Sequence, residues 1–158
     1  YFSDLKIAAP LLETKEDYYN TANALWNELK DETGNGLLVL MGHGSQHEAD
    51  SSYEKLENIL QKISGGKSYI ATVEGSTSIE QVIEKIKLKS PDCEKNVVLA
   101  PFMLVAGDHA INDMAGDEED SFAIKMKAAG FKPKCLLKGI GEYSGICDIY
   151  MEHLNDVM

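Results

Sequence analysis

Leu37-Leu38-Val39-Leu40-Met41, running straight into Gly42-His43-Gly44-Ser45, is the stretch on which the fold turns. Five consecutive apolar residues without alternation suit a strand covered on both faces, as in a parallel sheet. Upstream, Gly34-Asn35-Gly36 accepts positive φ readily and so ends a helix. That helix covers Lys15 to Glu32, where Tyr18, Tyr19, Ala22, Leu25 and Leu29 recur at three- and four-residue steps behind Thr14 as N-cap. Downstream, a second helix is expected from about Ala49 to Ile63, stopping at Gly65-Gly66.

The unit then recurs. Tyr69 to Val73 reads as a short strand, and Ser78 to Leu88 as a helix capped by Thr77 or Ser78. Asn96 to Leu104 holds the next apolar run, with Pro101 ending its regular pairing because proline cannot donate to the ladder. One helical stretch is expected over Asp108 to Ala129, with a break at Gly116. Lys134 to Leu137 reads as the last strand and Tyr143 to Val157 as the last helix. Strands alternating with helices through short connections predict an α/β fold, a doubly wound parallel sheet with right-handed crossovers and helices on both faces. Residues 14–158 form the expected single domain. Residues 1–13, apolar and proline-containing, fit no strand partner and read as an entry segment from a missing upstream half.

Composition narrows the function. The 158 residues suit one domain. No apolar run reaches the roughly 18 residues of a bilayer span, so no membrane role is expected. A formal charge of -11 argues against nucleic acid as partner. All fifteen basic residues are lysines, so no guanidinium fork is available to clamp phosphate or carboxylate. Cys93, Cys135 and Cys147 are odd in number and form no CxxC pair, which favours reduced, mostly buried thiols and a cytoplasmic setting. No Walker A sequence is present, and Gly42-His43-Gly44-Ser45-Gln46 is not a hydrolase elbow. Gly139-Ile140-Gly141-Glu142-Tyr143-Ser144-Gly145 fails as a dinucleotide fingerprint, with Ser144 at the third glycine position. No nucleotide is therefore expected. The acidic run Gly116-Asp117-Glu118-Glu119-Asp120-Ser121 fits a helix N-terminus better than a cation site.

Ligands of open parallel sheets bind beyond the carboxyl ends of the strands. Three successive strands deliver His43, Glu74 and His109 to that edge. Strands lie about 4.8 Å apart, so these side chains can face one hollow. Taken singly, each is also a plain loop or helix-start residue. Two imidazoles with a carboxylate suit Co, Fe, Ni or Zn rather than Mg or Ca. His47 is a weaker candidate in a loop, and His153, mid-helix near the end, reads as structural or solvated. Phe102, Met103 and Leu104 fit core packing, with contact to a large ligand as the other reading.

Met41-Gly42-His43-Gly44, Thr72-Val73-Glu74-Gly75 and the long segment from Pro101 to Ser121 together resemble the anaerobic cobalt chelatases of the CbiK type. Leu5 to Leu12 with Glu16-Asp17-Tyr18, and Gly139-Ile140-Gly141-Glu142, resemble further parts of that family, all in its second half. The resemblance implies two similar α/β halves facing across a cleft, and ATP-independent insertion of Co2+, with Fe2+ accepted by some members, into sirohydrochlorin on the anaerobic route to cobalamin. By the same resemblance His43, Glu74 and His109 are metal ligands and His43 and His109 are catalytic. Gly44, Ser45 and Met103 are the candidate contacts to the tetrapyrrole substrate. The implied partners are sirohydrochlorin and the missing amino-terminal half, with homo-oligomerisation left open. Without that half, weak metal binding and poor insertion are expected. A non-catalytic metal- or tetrapyrrole-binding module is the alternative, and a flavodoxin-like domain without metal chemistry is a third reading.

Overall fold

The computed structural model describes residues 5–45, 51–89 and 91–158. Four strands, β1 (Leu37–Gly42), β2 (Ser68–Thr72), β3 (Asn96–Pro101) and β4 (Lys132–Cys135), form one parallel sheet in the order β2-β1-β3-β4. The helices are α1 (Lys15–Thr33), α2 (Ser51–Ile63), α3 (Ile79–Lys89), α4 (Phe122–Ala128) and α5 (Ser144–Asn155). The α/β class, the parallel sheet and the two helical layers agree with the pattern of the sequence.

Strand periodicity explains the layers. Leu37, Val39 and Met41 point to one face and pack with Val82 and Ile86 of α3 and Phe122 and Met126 of α4. Leu38 and Leu40 point to the other and pack with Leu25 of α1, Leu56 and Leu60 of α2 and Ile146 of α5. Every residue of β1 is buried, which is why its sequence shows no alternation. The chain moves outward from β1 to β2, then reverses across β1 to reach β3. Right-handed crossovers therefore place α2 on one face and α3 and α4 on the opposite one. The reversal makes the gap between β1 and β3 a topological switch point.

Helix starts follow the expected chemistry. Thr14 accepts from the Asp17 amide, and the Asp17 side chain accepts from the Thr14 amide, a reciprocal capping box. Ser78 and Gln81 form the matching pair at α3, so Ser78 rather than Thr77 is the cap. On the outer side of β2, Glu57 accepts from the Ile70 amide, Gln61 donates to the Ser68 carbonyl and the Thr77 carbonyl accepts from the Thr72 amide. Lys85 in turn pairs with Glu57.

Three expectations need correction. The helical stretch expected over 108–129 does break at Gly116, but its first part is only a π-turn at Ala110–Met114, and a loop separates it from α4, which starts at Phe122. Ser121 causes the restart: its hydroxyl donates to the Gly116 carbonyl at 2.7 Å and accepts from the Ile124 amide as N-cap. The last strand begins at Lys132, not Lys134, since Gly130 (φ +93°) turns the chain and Phe131 bonds back to Met126. Pro133 is tolerated there because β4 is an edge strand. The thiols are less buried than expected: Cys93 and Cys135 are intermediate and Cys147 is exposed. Burial pushes the Cys135 thiol pKa up.

Candidate functional site

β1 ends against two close approaches that only glycines permit. A Cβ on Gly42 would stand 2.3 Å from the Tyr53 ring. One on Gly44, at φ +85°, would stand 2.3 Å from the Gly75 amide nitrogen. The Gly44 amide donates to the Tyr53 hydroxyl at 3.2 Å. Between these fixed points His43 faces solvent. Pairing with the β2 side continues beyond the strands: the Val73 amide donates to Gly42 and the Glu74 amide to His43, at 3.1 and 2.8 Å. Glu74 is thus locked beside His43 by its main chain, with its side chain exposed.

The other half of the site leaves β3. The Phe102 amide still bonds to the Met41 carbonyl, after which the chain loops to Gly107. A short helical turn, Ile140–Glu142, holds this loop from below: Ile140 donates to Met103 and Gly141 to Leu104. A Cβ on Gly139 would meet the Leu104 carbonyl oxygen at 2.5 Å, and Glu142 caps the Gly139 amide. Gly139-Ile140-Gly141-Glu142, unproductive as a nucleotide motif, supports the loop that carries His109. That contact crosses some 35 residues of chain, so no local signal announces it.

His109 opens the π-turn, whose wide loop is closed by the Ala115 amide on the Ala110 carbonyl at 3.2 Å. Such turns are uncommon and concentrate at functional sites. Its ring stands perpendicular to that of His43 with centroids 4.8 Å apart. His109 Nδ1 bonds to Asp113 at 2.5 Å. When Nδ1–H donates there, Nε2 keeps its lone pair. Asp113 had no signal in the sequence, because a four-residue spacing to a histidine is common on any helix.

The structure therefore brings His43 and His109 together across the switch point and ties Glu74 to them through the backbone. Among the described residues no three imidazole, carboxylate or thiol side chains stand close enough to hold an ion together. His47 lies outside the described residues. His153 is bonded on both ring nitrogens within the fold, to Ala9 and to Asp17.

Beside the imidazoles lies a cleft of about 370 Å³. Gly44, Ser45 and Met103 all line it, together with Phe102, Leu104 and the Pro10–Leu12 segment. Core packing is therefore not the whole role of Phe102, Met103 and Leu104: the first two are half-buried, and Leu104 is exposed. The wall is largely apolar, suited to a flat hydrophobic ring system rather than a sugar or phosphate.

A four-stranded parallel sheet with two imidazoles over its switch point and an apolar cleft at the same edge defines the class, an α/β domain with its ligand edge at the carboxyl ends of the strands. The comparisons agree, for the profile of the cobalt chelatase (CbiK) family matches residues 1–158, and the chain belongs to that family. It is 32% identical to the sirohydrochlorin cobaltochelatase of Salmonella typhimurium over 159 residues, covering 99% of this chain and 58% of that protein. It is also 32% identical to the sirohydrochlorin cobaltochelatase CbiKC of Nitratidesulfovibrio vulgaris over 154 residues, covering 97% of this chain and 53% of that one. The chain thus spans little more than half the length of the relatives it matches. No helix among the described residues is long and apolar enough to cross a membrane.

Proposed function

We propose that this chain is part of a sirohydrochlorin cobaltochelatase, acting in the cytoplasm without ATP in cobalamin synthesis. The observation that carries the reading is the His43–His109 pair, 4.8 Å apart, with an apolar cleft lined in part by Gly44, the neighbour of His43. Co2+ is the substrate metal, with Fe2+ as a second ion the same donors accept. A further half of the protein closes the cleft, in keeping with the 58% and 53% coverage of the relatives.

Metallation needs a loosely held ion, a macrocycle open on one face, and acceptors for two pyrrole protons. His43 and His109 hold the ion through imidazole nitrogen, and Glu74 completes the set by turning its exposed side chain inward. An open three-ligand arrangement releases its ion more readily than a closed structural cage. Asp113 fixes the His109 tautomer, the usual task of a carboxylate behind a ligating histidine. As the ion transfers, the imidazole nitrogens of His43 and His109 that it leaves each accept one of the two pyrrole protons. The charge of -11 draws in the cation and opposes the polycarboxylate substrate, so the apolar wall must supply the binding energy. Gly44, Ser45 and Met103 contribute to that wall.

The test is Co2+ insertion into sirohydrochlorin, followed by absorbance in the full-length protein. His43→Ala and His109→Ala should each lower Co2+ affinity by at least about tenfold, since even outer contacts to ligands have effects of that size. Unchanged insertion in both variants would defeat the proposal. Binding of metal and tetrapyrrole without metallation would show a non-catalytic binding module instead.

A further inference from the structure

A buried charged cluster where α5 meets α1 and the entry segment has no part in the chemistry above. His153 on α5 uses both ring nitrogens: Nδ1 lies 3.1 Å from the Ala9 carbonyl and Nε2 lies 3.0 Å from Asp17 Oδ1. Both residues of the ion pair are buried, at 9% and 8% exposure. The second Asp17 oxygen is already committed, accepting the Thr14 amide at 2.7 Å and the Thr14 hydroxyl at 2.8 Å. A carbonyl and a carboxylate only accept, whereas a neutral imidazole has one N–H. Both bonds form together only if the ring carries two protons and a positive charge.

The groups around the ring support that state. Asp17 faces it from α1, Asp156 acts on it from the end of α5, and Ala9 offers its carbonyl from the entry segment. Burial opposes the charge, but the Asp17 and Ala9 hydrogen bonds and the two carboxylates outweigh it and raise the His153 pKa. Burial likewise opposes ionisation of Asp17, and the Thr14 and His153 bonds outweigh it and lower that pKa.

Ala9 directly precedes Pro10, Leu11 and Leu12, which line the same cleft as Gly44, Ser45 and Met103. We infer that His153, held as an imidazolium by Asp17, is the positioning residue for the Pro10–Leu12 wall of the cleft. A ring that loses one proton keeps the other on the stronger, charge-assisted bond to Asp17. Its grip on Ala9 is then lost, and the wall retains the burial of Leu11 and the Thr21 hydroxyl bond to the Leu11 carbonyl. The clamp itself stands apart from the chelatase reading; its effect on tetrapyrrole binding rests on that reading.

Side-chain 15N NMR of this chain tests the charge state: both His153 nitrogens should be protonated at pH 6.5, and a neutral tautomer there overturns the inference. Hydrogen exchange tests the positioning. His153→Gln and Asp17→Asn should speed exchange at Leu11 and Leu12 by about tenfold or more, with the amides of β1 unchanged as evidence of an intact fold. Unchanged exchange at Leu11 and Leu12 in both variants overturns the inference. Titration with sirohydrochlorin should show binding weakened about fivefold or more in His153→Gln, a difference of about 1 kcal/mol; equal binding overturns the positioning role. If the unmodified chain and the full-length protein bind no sirohydrochlorin while NMR and exchange come out as expected, the clamp stands and the chelatase reading falls.

Discussion

Gly44 and Gly66 share a φ of +85° and differ in surroundings, so a pair of alanine substitutions separates backbone strain from steric contact. At Gly66 the nearest atom to an added Cβ is the Gln61 side-chain oxygen at 3.9 Å, an ordinary contact. Gly66→Ala should therefore show the left-handed strain alone, about 1–2 kcal/mol. At Gly44 the same Cβ meets Gly75 nitrogen at 2.3 Å, Gly75 Cα at 2.6 Å and Thr72 Cβ at 2.9 Å. Two of these three atoms are backbone and cannot rotate away. Overpacking of this kind adds about 1–3 kcal/mol, giving about 2–5 kcal/mol for Gly44→Ala. Urea unfolding at pH 7 reads both, with an unchanged m-value showing that the midpoint shift is a stability change. The contact should also push the Glu74–Gly75 segment off His43, so Gly44→Ala, unlike Gly66→Ala, should lose Co2+ affinity. Costs for the two variants within about 0.5 kcal/mol of each other would refute the steric reasoning.

Asp113→Ala should lower Co2+ affinity about 10- to 100-fold with little effect on unfolding, whereas Asp113→Asn, which keeps a carbonyl acceptor, should lose less; isothermal titration compares them. The His153–Asp17 pair should make stability depend on pH on both sides. Asp17, lowered from 3.8, contributes fully above that value and loses its contribution as pH falls through the folded-state pKa; His153, raised from 6.5, contributes fully below 6.5 and loses it as pH rises through its own. Urea midpoints should thus be highest between about pH 4 and 6.5 for this pair's share, and Asp17→Asn should flatten both flanks. Glu57→Leu should destabilise by about 1–3 kcal/mol, because the Ile70 amide loses its acceptor, while Glu57→Gln should cost less; thermal denaturation ranks them.

Much of this was legible in the residues. β1 and β3 announced themselves because strands covered on both faces carry near-continuous apolar runs, and Thr14 and Ser78 marked helix starts because their side chains bond the first amides. His43 and His109 could be paired in advance since parallel topology sends the ends of β1 and β3 to one edge. β4 was misplaced by two residues because Pro133 looks like a strand breaker until the strand is known to be an edge. The break at Gly116 was expected, but the π-turn before it was hidden because Ala110 to Ala115 has the composition of an ordinary helix; only the Ala115-to-Ala110 bond sets it apart. Asp113, the supporting role of Gly139 and Gly141, and the Ala9–His153 contact depend on contacts that carry no local pattern.

The occupied flank of β2 has a consequence for how this molecule lives among its copies. Ser68, Ile70 and Thr72 already spend their outward main-chain groups on Gln61, Glu57 and Thr77, so an incoming strand would find no ladder to join there. At the opposite border, Lys132 and Leu136 donate inward to Lys95 and Leu99, which turns Pro133 outward, a residue with no amide hydrogen to offer. Growth of the sheet by strand addition is blunted on both borders, and crowding this chain during synthesis should lead to fibrous association less readily than its apolar strands alone would suggest.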